Sequence, residues 1–203
     1  MTLRWLALGD SYTIGEGVPV AGRWPQQLAA LLRARGIALT DPHTIATTGW
    51  TTDELDAGID DAAPRGPFDF VSLLIGVNNQ YRARAVDAYA VEFTALLQRA
   101  LAFAGGKAGR VLVLSIPDWG VTPFAEGRDR AAIARALDDY NRAAEDICNA
   151  HGVVFVDITD LSRQHGAEPA MLVDDGLHPS AALYALWAQR ALPLAERLLA
   201  RDA

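Results

Sequence analysis

Trp5-Leu6-Ala7-Leu8-Gly9-Asp10-Ser11-Tyr12-Thr13-Ile14-Gly15-Glu16-Gly17 is the stretch on which the reading of this 203-residue chain turns. A short apolar run stops at a glycine and hands over to a serine. Such a run reads as a buried strand, and strand ends in α/β proteins are where reactive groups collect. Ser11 is therefore a candidate nucleophile. Gly9-Asp10-Ser11 is also what a plain strand-ending turn looks like, with Asp10 or Ser11 capping the next helix. The remainder of the chain has to decide between the two.

Working outward, Leu3 to Leu8 is the first strand, and the glycine-rich segment from Gly9 to Gly22 reads as loop. Trp24, Leu28, Leu31 and Leu32 recur at helical spacing, with Pro25 suited to a first turn and Gly36 to a stop. A second strand falls at His43 to Thr47. Thr51-Thr52-Asp53-Glu54 matches the capping-box pattern, so a helix should start just after Gly49-Trp50 and leave unpaired N–H groups there. Phe68 to Ile75 is an almost unbroken apolar strand, as expected at the centre of a parallel sheet, and it too stops at a glycine, in Gly76-Val77-Asn78-Asn79. A helix follows over Asp87 to Ala104, then a strand at Val111 to Ser115 and an irregular, aromatic loop from Pro117 to Gly127. The stripe Ile133, Leu137, Tyr140, Ala144, Ile147 marks the next helix, and Val153 to Val156 the fifth strand. Asp157 to Pro179 reads mostly as loop, and a last helix begins near Ser180 with a kink expected at Pro193. Strands alternating with helices throughout predict one three-layer α/β/α domain on a parallel sheet.

Composition narrows the function. The chain is 51% hydrophobic with a net charge of −7, and its eighteen basic residues are scattered among acidic ones, so no positive patch for nucleic acid or an anionic membrane surface is indicated. No segment approaches the apolar length of a membrane helix, and the N-terminal run is too short for a signal-peptide core, which predicts a cytoplasmic protein without stable membrane insertion. The single cysteine, Cys148, lies in an amphipathic pattern and is expected to be buried.

A second stretch, Val173-Asp174-Asp175-Gly176-Leu177-His178-Pro179-Ser180, supplies what a serine needs. A hydroxyl is a poor nucleophile at neutral pH without a base, and the base needs a carboxylate to hold its tautomer. Asp175 and His178 are three residues apart, within reach in one turn, and Pro179 restricts the backbone at His178. A metal site on Asp174, Asp175 and His178 lacks a further ligand at suitable spacing, and no metal or other cofactor is expected. His43, His151 and His165 have no partner visible in sequence.

In order along the chain, Gly9-Asp10-Ser11, Gly49, Gly76-Val77-Asn78-Asn79 and Asp175-Gly176-Leu177-His178 resemble the four blocks of the SGNH hydrolases, the GDSL family of esterases and lipases. The resemblance implies a flavodoxin-like five-stranded sheet, distinct from the Gly-x-Ser-x-Gly elbow of α/β-hydrolases. It implies Ser11 as nucleophile, His178 as general base and then acid, and Asp175 as its orienter. The oxyanion hole it implies consists of the Ser11 N–H, the Gly49 N–H and the Asn78 side-chain amide. Two positions depart from the family pattern: Tyr12 stands where leucine is common, and Asn79 where aspartate is common. These are expected to alter packing under the nucleophile and the pinning of the third block.

The expected activity is hydrolysis of a small or short-acyl ester through an acyl-serine. Acyl transfer, deacetylation, thioester cleavage and lysophospholipid cleavage are alternatives on the same machinery. Trp50, Gln80, Tyr81, Trp119 and Leu177 lie beside the motif residues and are candidate walls of the substrate site, each equally readable as core or scaffold. The lack of a long helical insertion points to an open, shallow site.

Overall fold

The computed structural model describes residues 2–200 and shows a five-stranded, all-parallel sheet with helices on both faces. Strands β1 (Trp5–Gly9), β2 (His43–Ala46), β3 (Phe70–Leu74), β4 (Val111–Leu114) and β5 (Val154–Val156) stand in the order β2-β1-β3-β4-β5. That is the flavodoxin-like order, and its switch point lies between β1 and β3. Leu6 pairs with Val71 and Gly9 with Leu74, so the two central strands finish side by side. Every residue of β1, β3 and β4 is buried, whereas β2 and β5 at the edges are half-covered. The unbroken apolar runs follow from that burial on two faces.

Along the chain the helices are α1 (Ser11–Ile14), α2 (Trp24–Ala34), α3 (Thr52–Ala62), α4 (Val77–Tyr81), α5 (Val86–Phe103), α6 (Arg130–Ala150), α7 (Thr159–His165) and α8 (Ala181–Ala200). α2 packs on α8, and α5 packs on both α3 and α6. Three differences from the expected elements stand out. The Gly9–Gly22 segment contains α1 and a 3-10 turn at Val20–Gly22, and the Asp157–Pro179 segment contains α7. Both helices are too short to carry a periodic apolar stripe, which is the signal that marks a helix in sequence. Pro193, where a kink is expected, lies inside α8, which runs on to Ala200. Glu54 reaches back to the Thr51 N–H at 2.9 Å, as the capping-box pattern requires. Cys148 is buried in α6, and burial, reinforced by the charge of Glu145, pushes its thiol up to about 12.

The β1 to α1 junction explains the opening motif. A Cβ at Gly9 would collide with the Thr13 hydroxyl and the Leu74 carbonyl, so only glycine lets the chain turn this close to β3. Asp10 then caps α1, its Oδ1 accepting from the Tyr12 N–H at 3.0 Å. Its Oδ2 is buried with no hydrogen-bond partner among the described residues. Burial pushes this carboxyl from 3.8 up to about 7, against the pull of the Tyr12 N–H.

A carboxyl whose folded value lies above its unfolded one binds extra proton in the folded state, so its stabilising effect is full below about pH 4 and fades as pH rises through about 7. Urea titrations of wild type and Asp10→Asn from pH 4 to 8 should show the stability difference shifting in the variant's favour by on the order of a few kcal/mol. Parallel pH profiles would contradict a buried, proton-binding Asp10.

Candidate active site

Four segments meet beyond the carboxyl ends of β1, β2 and β3. Ser11 is the first residue of α1, only 4% exposed. His178 lies in a turn tied at its base, with Val173 N–H donating to the His178 carbonyl (2.9 Å) and Ser180 N–H to the Met171 carbonyl (2.8 Å). His178 Nε2 is 3.0 Å from Ser11 Oγ, and His178 Nδ1 is 2.6 Å from Asp175 Oδ2. The carboxylate fixes the proton on Nδ1, which leaves Nε2 as the acceptor facing the serine.

Asp175 is itself held by its own turn. Its Oδ1 accepts from the Leu177 N–H (2.8 Å) and the His178 N–H (2.9 Å), an arrangement aspartate forms readily in short loops. Burial pushes the Asp175 carboxyl up, but the hydrogen bonds from the His178 ring and these two backbone groups outweigh it and hold the carboxyl below its usual range. It is thus ionised at neutral pH and able to stabilise a charged imidazole.

Three potential donors belong to residues that share one cleft. The Ser11 N–H and the Gly49 N–H have no acceptor among the described residues. Gly49 adopts φ +87°, in the left-handed region that other residues rarely enter. Asn78 is in the first turn of α4 and spends one amide hydrogen on the Trp50 carbonyl at 2.9 Å, which fixes its side chain beside Gly49. All three residues line one cleft of about 190 Å³, together with Tyr12, Thr48, Val77, Tyr81, Trp119, Phe124, Leu177 and His178. A hydroxyl, a base oriented by a carboxylate and neutral donors on residues lining the same cleft are the parts that acyl transfer uses.

Of the five candidate wall residues, Tyr81, Trp119 and Leu177 line this cleft; Trp50 and Gln80 do not. Trp50 turns its ring over Gly58 of α3 and presents only its carbonyl to Asn78. Gln80 Oε1 accepts from Trp119 Nε1 at 2.8 Å, so it supports the wall from outside. Phe124 completes an aromatic trio with Tyr81 and Trp119, their ring centres 5.4 to 6.3 Å apart. Arg128 sits over all three rings at 5.1, 5.3 and 5.5 Å and donates to the Tyr81 hydroxyl. Phe124 was open to sequence reasoning through its aromatic loop; Arg128 carries no sequence signal. His43, His151 and His165 lie away from the cleft lining. Tyr12 is buried, its ring 5.6 Å from the His178 imidazole and 6.0 Å from Trp187, so the larger side chain packs beneath the base.

A model of the GDSL-like lipase/acylhydrolase family matches residues 7–186. Among solved structures, the chain is similar to TesA, at 20% identity and a TM-score of 0.75 over 97% of this chain and 99% of that one. It is also similar to a member of the lipolytic protein G-D-S-L family from Veillonella parvula DSM 2008, at 18% identity and a TM-score of 0.71 over 94% and 96% of the two chains. Axe2, an acetylxylan esterase from Geobacillus stearothermophilus, gives 21% identity and a TM-score of 0.71 over 95% and 94%. No curated protein sequence matches the chain. At these identities the likeness is one of fold.

Asn79, the second departure from the family pattern, is fully buried behind Asn78. Its Oδ1 accepts from the Thr52 N–H (3.0 Å) and its Nδ2 donates to Thr52 Oγ1 (2.6 Å), and the Thr52 hydroxyl donates in turn to Glu92. Glu92 also approaches Asn79 Nδ2 at 3.4 Å, so the negative charge absent from position 79 is supplied from α5. Asn79→Asp would place two carboxylates together and raise the apparent pKa of the pair. Stability of that variant should therefore fall as pH rises, with about 1–2 kcal/mol more destabilisation at pH 8 than at pH 5, relieved by adding Glu92→Gln. Equal destabilisation at both pH values, with or without Glu92→Gln, would show that Glu92 is not the compensating charge.

Proposed function

The chain belongs to the GDSL-like lipase/acylhydrolase family of ester-bond hydrolases, and within it we propose a serine carboxylesterase that cleaves small or short-acyl esters through an acyl-serine intermediate. The observation that carries this reading is the continuous hydrogen-bonded path from Ser11 Oγ through the His178 ring to Asp175 Oδ2. His178 Nε2 removes the Ser11 proton as Oγ attacks the ester carbonyl, and the Asp175 carboxylate stabilises the imidazolium that forms. The carbonyl oxygen becomes an oxyanion, received by the Ser11 N–H, the Gly49 N–H and the free amide hydrogen of Asn78. As the tetrahedral adduct collapses, His178 hands its proton to the departing alkoxide. Water, deprotonated by the same nitrogen, then attacks the acyl-serine and restores Ser11.

The size of the substrate is read from the walls. Trp119 is buried and pinned by Gln80, and Arg128 clamps the exposed faces of Tyr81 and Phe124, so the aromatic side of the cleft is held in place. A fixed aromatic wall at a cleft of about 190 Å³ favours a short acyl group over a long chain.

With p-nitrophenyl acetate, Ser11→Ala and His178→Ala should each lose turnover by roughly 10⁶-fold, as cooperating members of one unit do. Asn78→Ala should lose on the order of 10²–10³ in kcat, the scale of one oxyanion donor. Activity near wild type in Ser11→Ala would refute the mechanism. Across p-nitrophenyl esters from acetate to decanoate, kcat/KM should fall with chain length, and Trp119→Ala should flatten the fall. A profile rising toward decanoate in the wild type would refute the short-acyl reading while leaving the mechanism standing.

A further inference from the structure

We propose that Arg82 is a positioning residue of the oxyanion hole, holding the Gly49 turn so that its N–H stays aimed into the cleft; this rests on the acyl-serine mechanism above. Gly49 adopts φ +87°, and beyond its chain neighbours the nearest atom to where a Cβ would stand is Arg82 Nη2, at 4.0 Å. A glycine peptide unit that is free to rotate would lose the alignment of its N–H. Hydrogen bonds to its carbonyls restrain the turn, beside that of the Thr48 hydroxyl to Glu16. The bond within the turn, Trp50 N–H to the Thr47 carbonyl, is long at 3.3 Å. The strong one is Arg82 Nη2 to the Gly49 carbonyl, at 2.7 Å with a charged donor.

Arg82 is placed to couple the parts of the site. It follows α4 directly, and its backbone N–H donates to the carbonyl of Asn78, the residue offering the third oxyanion donor. Its Nη1 reaches Glu54 Oε1 at 3.3 Å, and the other oxygen of that carboxylate caps α3 through the Thr51 N–H. One guanidinium thus ties the Gly49 turn to the helix carrying Asn78 and to the start of α3. Asn78 makes the parallel connection, from its amide to the Trp50 carbonyl. Two successive carbonyls, of Gly49 and Trp50, are thus gripped from α4 and the residue that caps it. Both backbone and side-chain donors of the hole therefore keep a fixed spacing while charge develops between them, which is the condition for electrostatic preorganisation.

An interaction that orders the hole without touching substrate should act on the transition state and leave ground-state binding alone. Arg82→Met, Arg82→Lys and Glu54→Gln would be compared with wild type for p-nitrophenyl acetate hydrolysis, for the rate of Ser11 phosphonylation by a fluorophosphonate, and for Tm. For Arg82→Met the expected result is a loss of about 10–100-fold in kcat and in kcat/KM with KM within about twofold, and a similar loss in phosphonylation rate. Arg82→Lys should recover part of the loss. Glu54→Gln, which keeps the α3 cap but drops the ion pair, should show a smaller loss of the same kind. If Arg82→Met does not fold, the Lys and Gln variants carry the test alone. Turnover and phosphonylation within twofold of wild type in all folded variants would overturn the proposal, as would a loss confined to KM or one no larger than the fall in folded fraction. Failure of the underlying mechanism has a different signature: phosphonylation absent from Ser11 in the wild type, or hydrolysis that survives Ser11→Ala.

Discussion

A single 3.0 Å hydrogen bond, from Ser11 Oγ to His178 Nε2, joins residues 167 positions apart, and most of the architecture can be understood as what makes that contact hold. An unassisted serine hydroxyl keeps its proton at neutral pH, so displacement of the imidazole by an ångström or so would leave an inert side chain. Each end of the bond is fixed by a different device. At the Ser11 end, β1 is buried between β2 and β3, and Gly9 allows the chain to turn against the Leu74 carbonyl. At the other end, Asp175 closes a turn on two backbone N–H groups before it takes the His178 ring, so carboxylate and base move as one unit. The two ends are brought together by α8, which begins just after His178 and packs on α2, the helix that follows the nucleophile loop.

The proposed oxyanion donors depend on a second, separate set of restraints. Gly49 and Asn78 come from different connections of the sheet, and neither is held by the Ser11–His178 contact. Hydrogen bonds from α4 and its capping Arg82 to residues 49–52 tie these connections together: Asn78 to the Trp50 carbonyl, Arg82 to the Gly49 carbonyl, and the Thr52 N–H to buried Asn79. The substitution of asparagine for the family's usual aspartate at position 79 fits this pattern. The amide keeps the acceptor for the Thr52 N–H, and the Glu92 carboxylate stands where a second negative charge would otherwise have to be buried. The polar cluster is thereby satisfied without an unpaired buried charge.

The sheet and its long helices were legible because burial on both faces of a parallel strand writes itself as an apolar run, and a half-buried helix as a stripe. Phe68 to Ile75 and the Ile133 to Ile147 pattern are examples of each. The residues of the proposed site, Ser11, Gly49, Asn78, Asp175 and His178, stand out in the sequence for another reason: each sits at a strand end or tight turn, with chemistry that few other roles require. What escaped was carried by tertiary placement. The helices α1 and α7 are stabilised by their caps and surroundings and have no periodic face. Trp50 and Gln80 adjoin motif residues in sequence, but sequence distance does not say which way a side chain leaves a helix, and both turn from the cleft. Arg82, Glu92 and Arg128 look like ordinary surface charges until the fold sets them against Gly49, Thr52 and three aromatic rings.

The most direct test of this account is intact-protein and peptide mass spectrometry after treatment with a fluorophosphonate. A reactive Ser11 should give one covalent adduct per chain, mapped to the peptide containing Gly9-Asp10-Ser11, and labelling should collapse in His178→Ala although the serine is still present. Absence of an adduct, an adduct on another residue, or undiminished labelling of Ser11 without His178 would contradict the claim that the imidazole activates this serine.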